Sequence, residues 1–190
     1  MSKSKSESIS WGGYIEGVVY DYLLTKNIED LKKTDPDTDM KKHIDFTFNS
    51  KKLNKRVGID VKAPTVVTGF KENDVNYATF INNYGEKGWL YGEADFAFFV
   101  TFDEFVIVKL SELRDFLEEK TSGQEPINGN PKRLYTKFHC SNNGGYRKSV
   151  STLFKIEDIK NLPSSKVVLH NMGLQLREKF NEINKAMKSV

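Results

Sequence analysis

Three residues on two consecutive predicted strands could perform metal-dependent hydrolysis together: Asp45, Asp60 and Lys62. Mg²⁺ is a hard cation that proteins hold through one or two carboxylates, with water and substrate phosphate as further ligands. Lys62 follows Asp60 by two residues and therefore points to the same face of a strand. Two carboxylates with a neighbouring ammonium group suit hydrolysis of a phosphodiester, in which a metal activates water and a cation positions it.

The elements that must position these residues are predicted to form an antiparallel hairpin. Apolar residues occupy the even positions of residues 43–48 and the odd positions of residues 57–62, the alternation of half-buried strands. A polar turn over residues 49–55 joins them, and the register that aligns both apolar faces places Asp45 opposite Asp60. Because facing like charges destabilise a strand pair, a bound cation is the economical explanation. The alternative is an exposed ion pair on an ordinary hairpin.

A helix precedes the hairpin and carries a further acidic candidate. Apolar residues recur at helical spacing, at Trp11, Tyr14, Ile15, Val18 and Tyr22, after a possible N-cap at Ser10. Glu16 lies at the border of this apolar stripe, where a carboxylate can be half buried. It either contributes to the metal site or faces water.

Asp45, the run Ile59-Asp60-Val61-Lys62 and the preceding helix with Glu16 together resemble the PD-(D/E)xK nuclease superfamily over about residues 11–110. The resemblance implies an α/β, restriction-endonuclease-like core with a central mixed sheet flanked by helices, hydrolysis of nucleic-acid phosphodiesters, and dependence on Mg²⁺, with Mn²⁺ as a substitute. It also implies that Asp45, Asp60 and Glu16 are catalytic metal ligands and that Lys62 positions the nucleophile. The sequence departs from the family pattern in having Ile44 at the position of the name-giving proline and aspartate rather than the commoner glutamate at residue 60.

The distribution of charge favours a polyanionic partner. The net charge is +3, yet residues 131–190 hold 12 Lys and Arg against 4 Asp and Glu. A nucleic acid is therefore the expected partner. Our hypothesis favours DNA over RNA. The candidate nucleic-acid contacts in this basic segment are Lys132, Arg133, Tyr146, Arg147 and Lys148. The last three follow a Gly-Gly pair that could equally form a solvated turn.

Several classes of protein are excluded by composition. The longest apolar run, residues 96–100, is too short to span a bilayer, and the polar N-terminus has no signal-peptide core. The single cysteine, Cys140, cannot form an intramolecular disulfide, so we expect a cytoplasmic protein. The three histidines lack a zinc spacing, although His43 shares the polar strand face with Asp45.

The expected organisation is a flexible polar tail over residues 1–10 and one nuclease-like domain over residues 11–190, with a core to about residue 110 and a basic extension over about residues 131–190. Residues 27–42 show no clear period. The other predicted elements are a helix over 73–84 ending at Gly85, strands over 94–102 and 105–109, a helix from Ser111 to Glu119, strands over 134–139 and 150–155, and a last helix over 171–188.

The sequence therefore predicts a Mg²⁺-dependent deoxyribonuclease, with an endonuclease favoured over an exonuclease. The alternative is a non-catalytic nucleic-acid-binding or protein-interaction module on the same fold. A third hypothesis is another metal-dependent phosphotransfer enzyme. The oligomeric state is open, although cutting both strands of a duplex would suit a homodimer.

Overall fold

The computed structural model describes residues 11–188 except 27, 66, 68, 72–73, 130–132 and 142–147. The described chain has a mixed α+β architecture, as predicted. Its strands are β1 (Glu29–Lys33), β2 (Phe46–Ser50), β3 (Lys55–Lys62), β4 (Val75–Ile81), β5 (Phe96–Val100), β6 (Glu104–Lys109), β7 (Ile127–Asn128), β8 (Phe138–Ser141), β9 (Lys148–Lys155) and β10 (Lys166–Leu169). Its helices are α1 (Trp11–Leu24), α2 (Pro36–Lys42), α3 (Leu110–Lys120), α4 (Ile156–Lys160) and α5 (Gly173–Lys188), with a 3-10 turn at Trp89–Tyr91.

The larger sheet has the order β1-β2-β3-β5-β6-β10 within the described residues. Its strands pair antiparallel except β3 and β5, which are parallel and form the middle of the sheet. One face of this sheet is covered by α1 and α5, whose buried side chains include Ile15, Val19 and Leu176. The predicted mixed sheet flanked by helices is confirmed at this level.

The predicted hairpin and its register are confirmed. β2 and β3 are antiparallel, with Phe46 opposite Ile59 and Phe48 opposite Val57. Continuing this register by one residue places Asp45 opposite Asp60. The strand itself begins later than predicted, because His43 adopts a left-handed conformation and ends α2.

The predicted helix over residues 73–84 is wrong. The described part of this segment contains β4, which pairs with β9 and forms a smaller sheet of order β4-β9-β8-β7. Five of the seven residues of β4 are β-branched or aromatic, and they suit a strand once β9 supplies a partner. Gly85, predicted to end the helix, instead has a φ of +81° in the turn that follows β4.

Other predicted elements are confirmed with shifted bounds. The first helix, the buried strand at residues 96–100, the strand after it, the helix near residue 111 and the last helix are all present. The helix predicted from Ser111 begins one residue earlier, at Leu110. Its N-cap residue is therefore Lys109 and not Ser111. The unassigned residues 27–42 contain β1 and α2.

Some predictions fall outside the described residues. These are the polar tail over residues 1–10 with its N-cap Ser10, and the candidate contacts Lys132, Tyr146 and Arg147. Within the described chain, no helix combines the length and the apolar composition needed to cross a bilayer.

Candidate active site

Asp45 lies immediately before β2 and is held against the middle of β3. Its backbone N–H donates to the carbonyl of Ile59 at 2.9 Å, and its Oδ2 accepts from the N–H of Val61 at 2.5 Å. These two hydrogen bonds flank Asp60 on either side along β3. The sequence predicted this proximity, and the structure shows both aspartates buried, at 6% and 3% exposure.

Asp60 has one satisfied and one unsatisfied carboxylate oxygen. Its Oδ1 lies 2.6 Å from Nζ of Lys62, on the same face of β3. Its Oδ2 is buried and has no hydrogen-bond partner among the described residues. A buried acceptor without a partner carries a desolvation penalty, so this oxygen is a candidate ligand atom.

Lys62 is held by an aromatic ring as well as by Asp60. Its Nζ lies 4.4 Å from the centre of the Trp89 ring, at the start of the 3-10 turn. Trp89 itself is buried and packs edge-on against Phe99, with 6.3 Å between ring centres. The ammonium group is thereby fixed beside the carboxylates by a cation–π contact.

Burial raises the pKa of both aspartates, and the charge of Asp60 adds to the effect on Asp45. Burial and, second, the negative charge of Asp60 raise the pKa of Asp45 to about 7. Burial also raises the pKa of Asp60, against the lowering effect of the Lys62 ammonium. Two carboxylates with one ammonium leave excess negative charge, which either a proton or a bound cation would neutralise.

These residues fit a hard cation through two oxygen donors. Asp45 and Asp60 would hold Mg²⁺, and water with substrate phosphate would complete its preferred octahedron. No group of three or more His, Cys, Asp or Glu side chains in the described chain is arranged to hold a metal. Asp45 and Asp60 alone would provide two carboxylate ligands, within the number that Mg²⁺ sites normally use.

Glu16 lies near the aspartates but has a partner of its own. Its Oε2 is 2.8 Å from Nζ of Lys33, on β1. Its negative charge is among the effects that raise the pKa of Asp60, which places it in electrostatic range of the pair. The structure thus brings Asp45, Asp60 and Lys62 together and holds Glu16 in an adjacent ion pair; its role as a metal ligand stays a prediction.

Sequence reasoning missed three residues around the site. Lys33 lies on a strand that was not predicted, and the charge of Asp39, on α2, raises the pKa of both buried aspartates. No sequence pattern links Trp89 to Lys62. The half-buried His43 is also close, because burial and then the positive charge of Lys62 lower its pKa.

The predicted nucleic-acid contacts are only partly described. Arg133 is exposed, and Lys148 begins β9. Because their predicted neighbours lie outside the described residues, this surface stays a prediction.

Comparison with known proteins adds no relative: no family model, no curated protein and no solved structure matches the chain.

Proposed function

We propose that this protein is a Mg²⁺-dependent nuclease that hydrolyses phosphodiester bonds of DNA. The observation that supports it is the buried pair Asp45 and Asp60 with the Lys62 ammonium 2.6 Å from one of their oxygens. A fold gains no stability from burying two carboxylates beside one lysine, because such charges are costly to desolvate. Such an arrangement is typical of a functional site.

Each residue of the site has a separate role in this proposal. Asp45 and Asp60 would hold the metal, and Asp60 Oδ2 is the carboxylate oxygen without a hydrogen-bond partner in the described chain. When bound, the metal polarises the scissile phosphate and lowers the pKa of water. Lys62 donates one hydrogen bond to Asp60, and its two further N–H donors can orient the attacking water or neutralise charge on a phosphate oxygen.

The substrate class follows from charge. A buried carboxylate pair needs a cation to approach a phosphate at all, and the basic segment over residues 131–190 supplies attraction for a polyanion. Arg133 is the member of the proposed contact set whose side chain the structure shows exposed. The resemblance to the PD-(D/E)xK superfamily agrees with DNA as the substrate.

The test is cleavage of a mixed set of duplex, single-stranded and branched DNA with Mg²⁺. Wild-type protein should cut at least one of them, and chelation by EDTA should stop cleavage. Lys62→Ala should remain folded and lose cleavage by about 10² to 10⁴-fold, the usual size of one positioned catalytic group.

Lys55→Ala is the matched control, since Lys55 begins the same strand and also pairs with an aspartate, Asp95, which is not one of the proposed metal ligands. It should cut as wild type does. Equal cleavage by Lys62→Ala would remove Lys62 from the mechanism.

The non-catalytic binding module remains the second candidate, and one observation favours it. Glu16 is engaged with Lys33, so the described site offers two carboxylates rather than three. DNA binding that is independent of Mg²⁺, with no cleavage of any substrate in the set, would support this alternative.

A further inference from the structure

A groove lies on the face of the larger sheet opposite to the carboxylate pair. In β3, Ile59 points to the face covered by α1, whereas Asp60 points to the other. At the end of this face where β5 begins, the helices leave a cavity of about 530 Å³, lined by apolar side chains of the sheet and by the end of α1. The groove is therefore a site separate from the proposed active site.

The strand register explains why the groove is apolar. Phe48, Ile59, Phe96, Ile107 and Val168 come from five neighbouring strands and lie on one face. All except Ile59 remain partly exposed. A concave site of this volume with an apolar lining has the dimensions of a small-molecule pocket.

The polar groups of the groove carry a single sign of charge. Lys166, the first residue of β10, pairs in register with Ile107 and shares its face. Lys26 follows α1, and its Nζ lies 4.7 Å from the centre of the Tyr22 ring, which also lines the groove. The lining includes no carboxylate, and neither lysine has an acidic partner within ion-pair distance in the part of the chain that the structure describes.

We propose that this groove binds a free single-chain amphiphile with an anionic head, such as a medium-chain carboxylate. The alkyl chain would cover the exposed apolar side chains and remove them from water. The carboxylate would lie at the mouth between the two ammonium groups. This proposal does not depend on the proposed nuclease activity.

The test is calorimetric titration of the full chain with decanoate below its micelle concentration, with decyltrimethylammonium as the matched cationic ligand. Decanoate should bind at one molecule per chain and at least tenfold more tightly than the cation.

Ile107→Trp should fill the groove and abolish binding. The double variant Lys26→Glu/Lys166→Glu should weaken decanoate binding about tenfold, whereas Lys52→Glu/Lys71→Glu, with two exposed lysines outside the groove, should not.

Three outcomes would overturn the proposal. Equal affinity for the two ligands would exclude recognition of the anionic head. Unchanged binding to Ile107→Trp, with its folding confirmed by circular dichroism, would place the ligand elsewhere. Sedimentation with anionic phospholipid vesicles but no binding of monomeric decanoate would identify a membrane surface rather than a free amphiphile.

Discussion

Lys62 and Asp60 form an ion pair along one face of β3, with 2.6 Å between Nζ and Oδ1 and side-chain exposures of 18% and 4%. Asp45 adds a second buried carboxylate held by the N–H of Val61. One ammonium balances only one of these carboxylates. Burial and, second, this excess of negative charge raise the pKa of Asp45 to about 7.

The first prediction concerns stability against pH without metal. The pKa of Asp45 is about 7 in the folded chain and near its usual value of 3.8 in the unfolded chain. Between these values the folded state holds the extra proton, so rising pH destabilises it, by up to about 1.4 kcal/mol per pH unit. Urea denaturation in EDTA should show that Asp45→Asn becomes more stable relative to wild type as the pH rises from 4 to 7.

The informative quantity is the difference in the free energy of unfolding between Asp45→Asn and wild type at each pH. His43 and His170 have lowered pKa values, chiefly through burial, and their titration stabilises the fold as pH rises. Since both proteins contain these histidines, their contribution cancels in the difference. If this difference in the free energy of unfolding stays constant from pH 4 to pH 7, Asp45 is ionised in the folded chain over that range.

The second prediction concerns metal binding. A divalent cation that binds only the folded state raises its melting temperature by mass action. Millimolar Mg²⁺ or Mn²⁺ at pH 7.5 should therefore raise the melting temperature of wild type, and Asp45→Asn or Asp60→Asn should remove that increase. Differential scanning fluorimetry measures both.

Glu16→Gln is the control for the metal prediction. Because Glu16 pairs with Lys33, its replacement should leave most of the metal-induced increase intact. Loss of the increase in Glu16→Gln, with retention in Asp60→Asn, would move the metal site from the hairpin to the helix.

The third prediction concerns Trp89, whose ring lies 4.4 Å from the Lys62 ammonium. A cation–π contact contributes about 0.5–2 kcal/mol, so Trp89→Leu should lower kcat about 3- to 30-fold. Trp89→Phe keeps a ring and should lose less. Phe80→Leu, in the same core cluster but without a contact to Lys62, controls for loss of packing. Equal losses of kcat in Trp89→Leu and Phe80→Leu would exclude a positioning role.

Local patterns in the sequence predicted the part of the site that depends on the hairpin. Alternation in residues 43–48 and 57–62, together with the position of the turn between them, predicted the register, since a shift of one residue would move every apolar side chain to the other face. The contact between Asp45 and β3 followed from that register. The burial of both aspartates was not predicted, because it depends on neighbouring strands and the 3-10 turn.

Long-range pairing explains what the sequence did not reveal. β4 becomes a strand because β9, more than sixty residues later, pairs with it. Trp89 lies in the chain between β3 and β5, far from Lys62 in sequence. Only the folding of that connection brings its ring beside Lys62. β1, with Lys33, is a short and largely exposed edge strand, and its polar composition gives no alternation to detect.

Anomalous diffraction from crystals soaked in Mn²⁺ would show whether Asp45 and Asp60 bind one metal ion together. We predict one anomalous peak within about 2.0–2.4 Å of an oxygen of Asp45 and an oxygen of Asp60, and no such peak in Asp60→Asn crystals. A fully soaked crystal with both carboxylates ordered and no Mn²⁺ between them would exclude a shared metal site at Asp45 and Asp60.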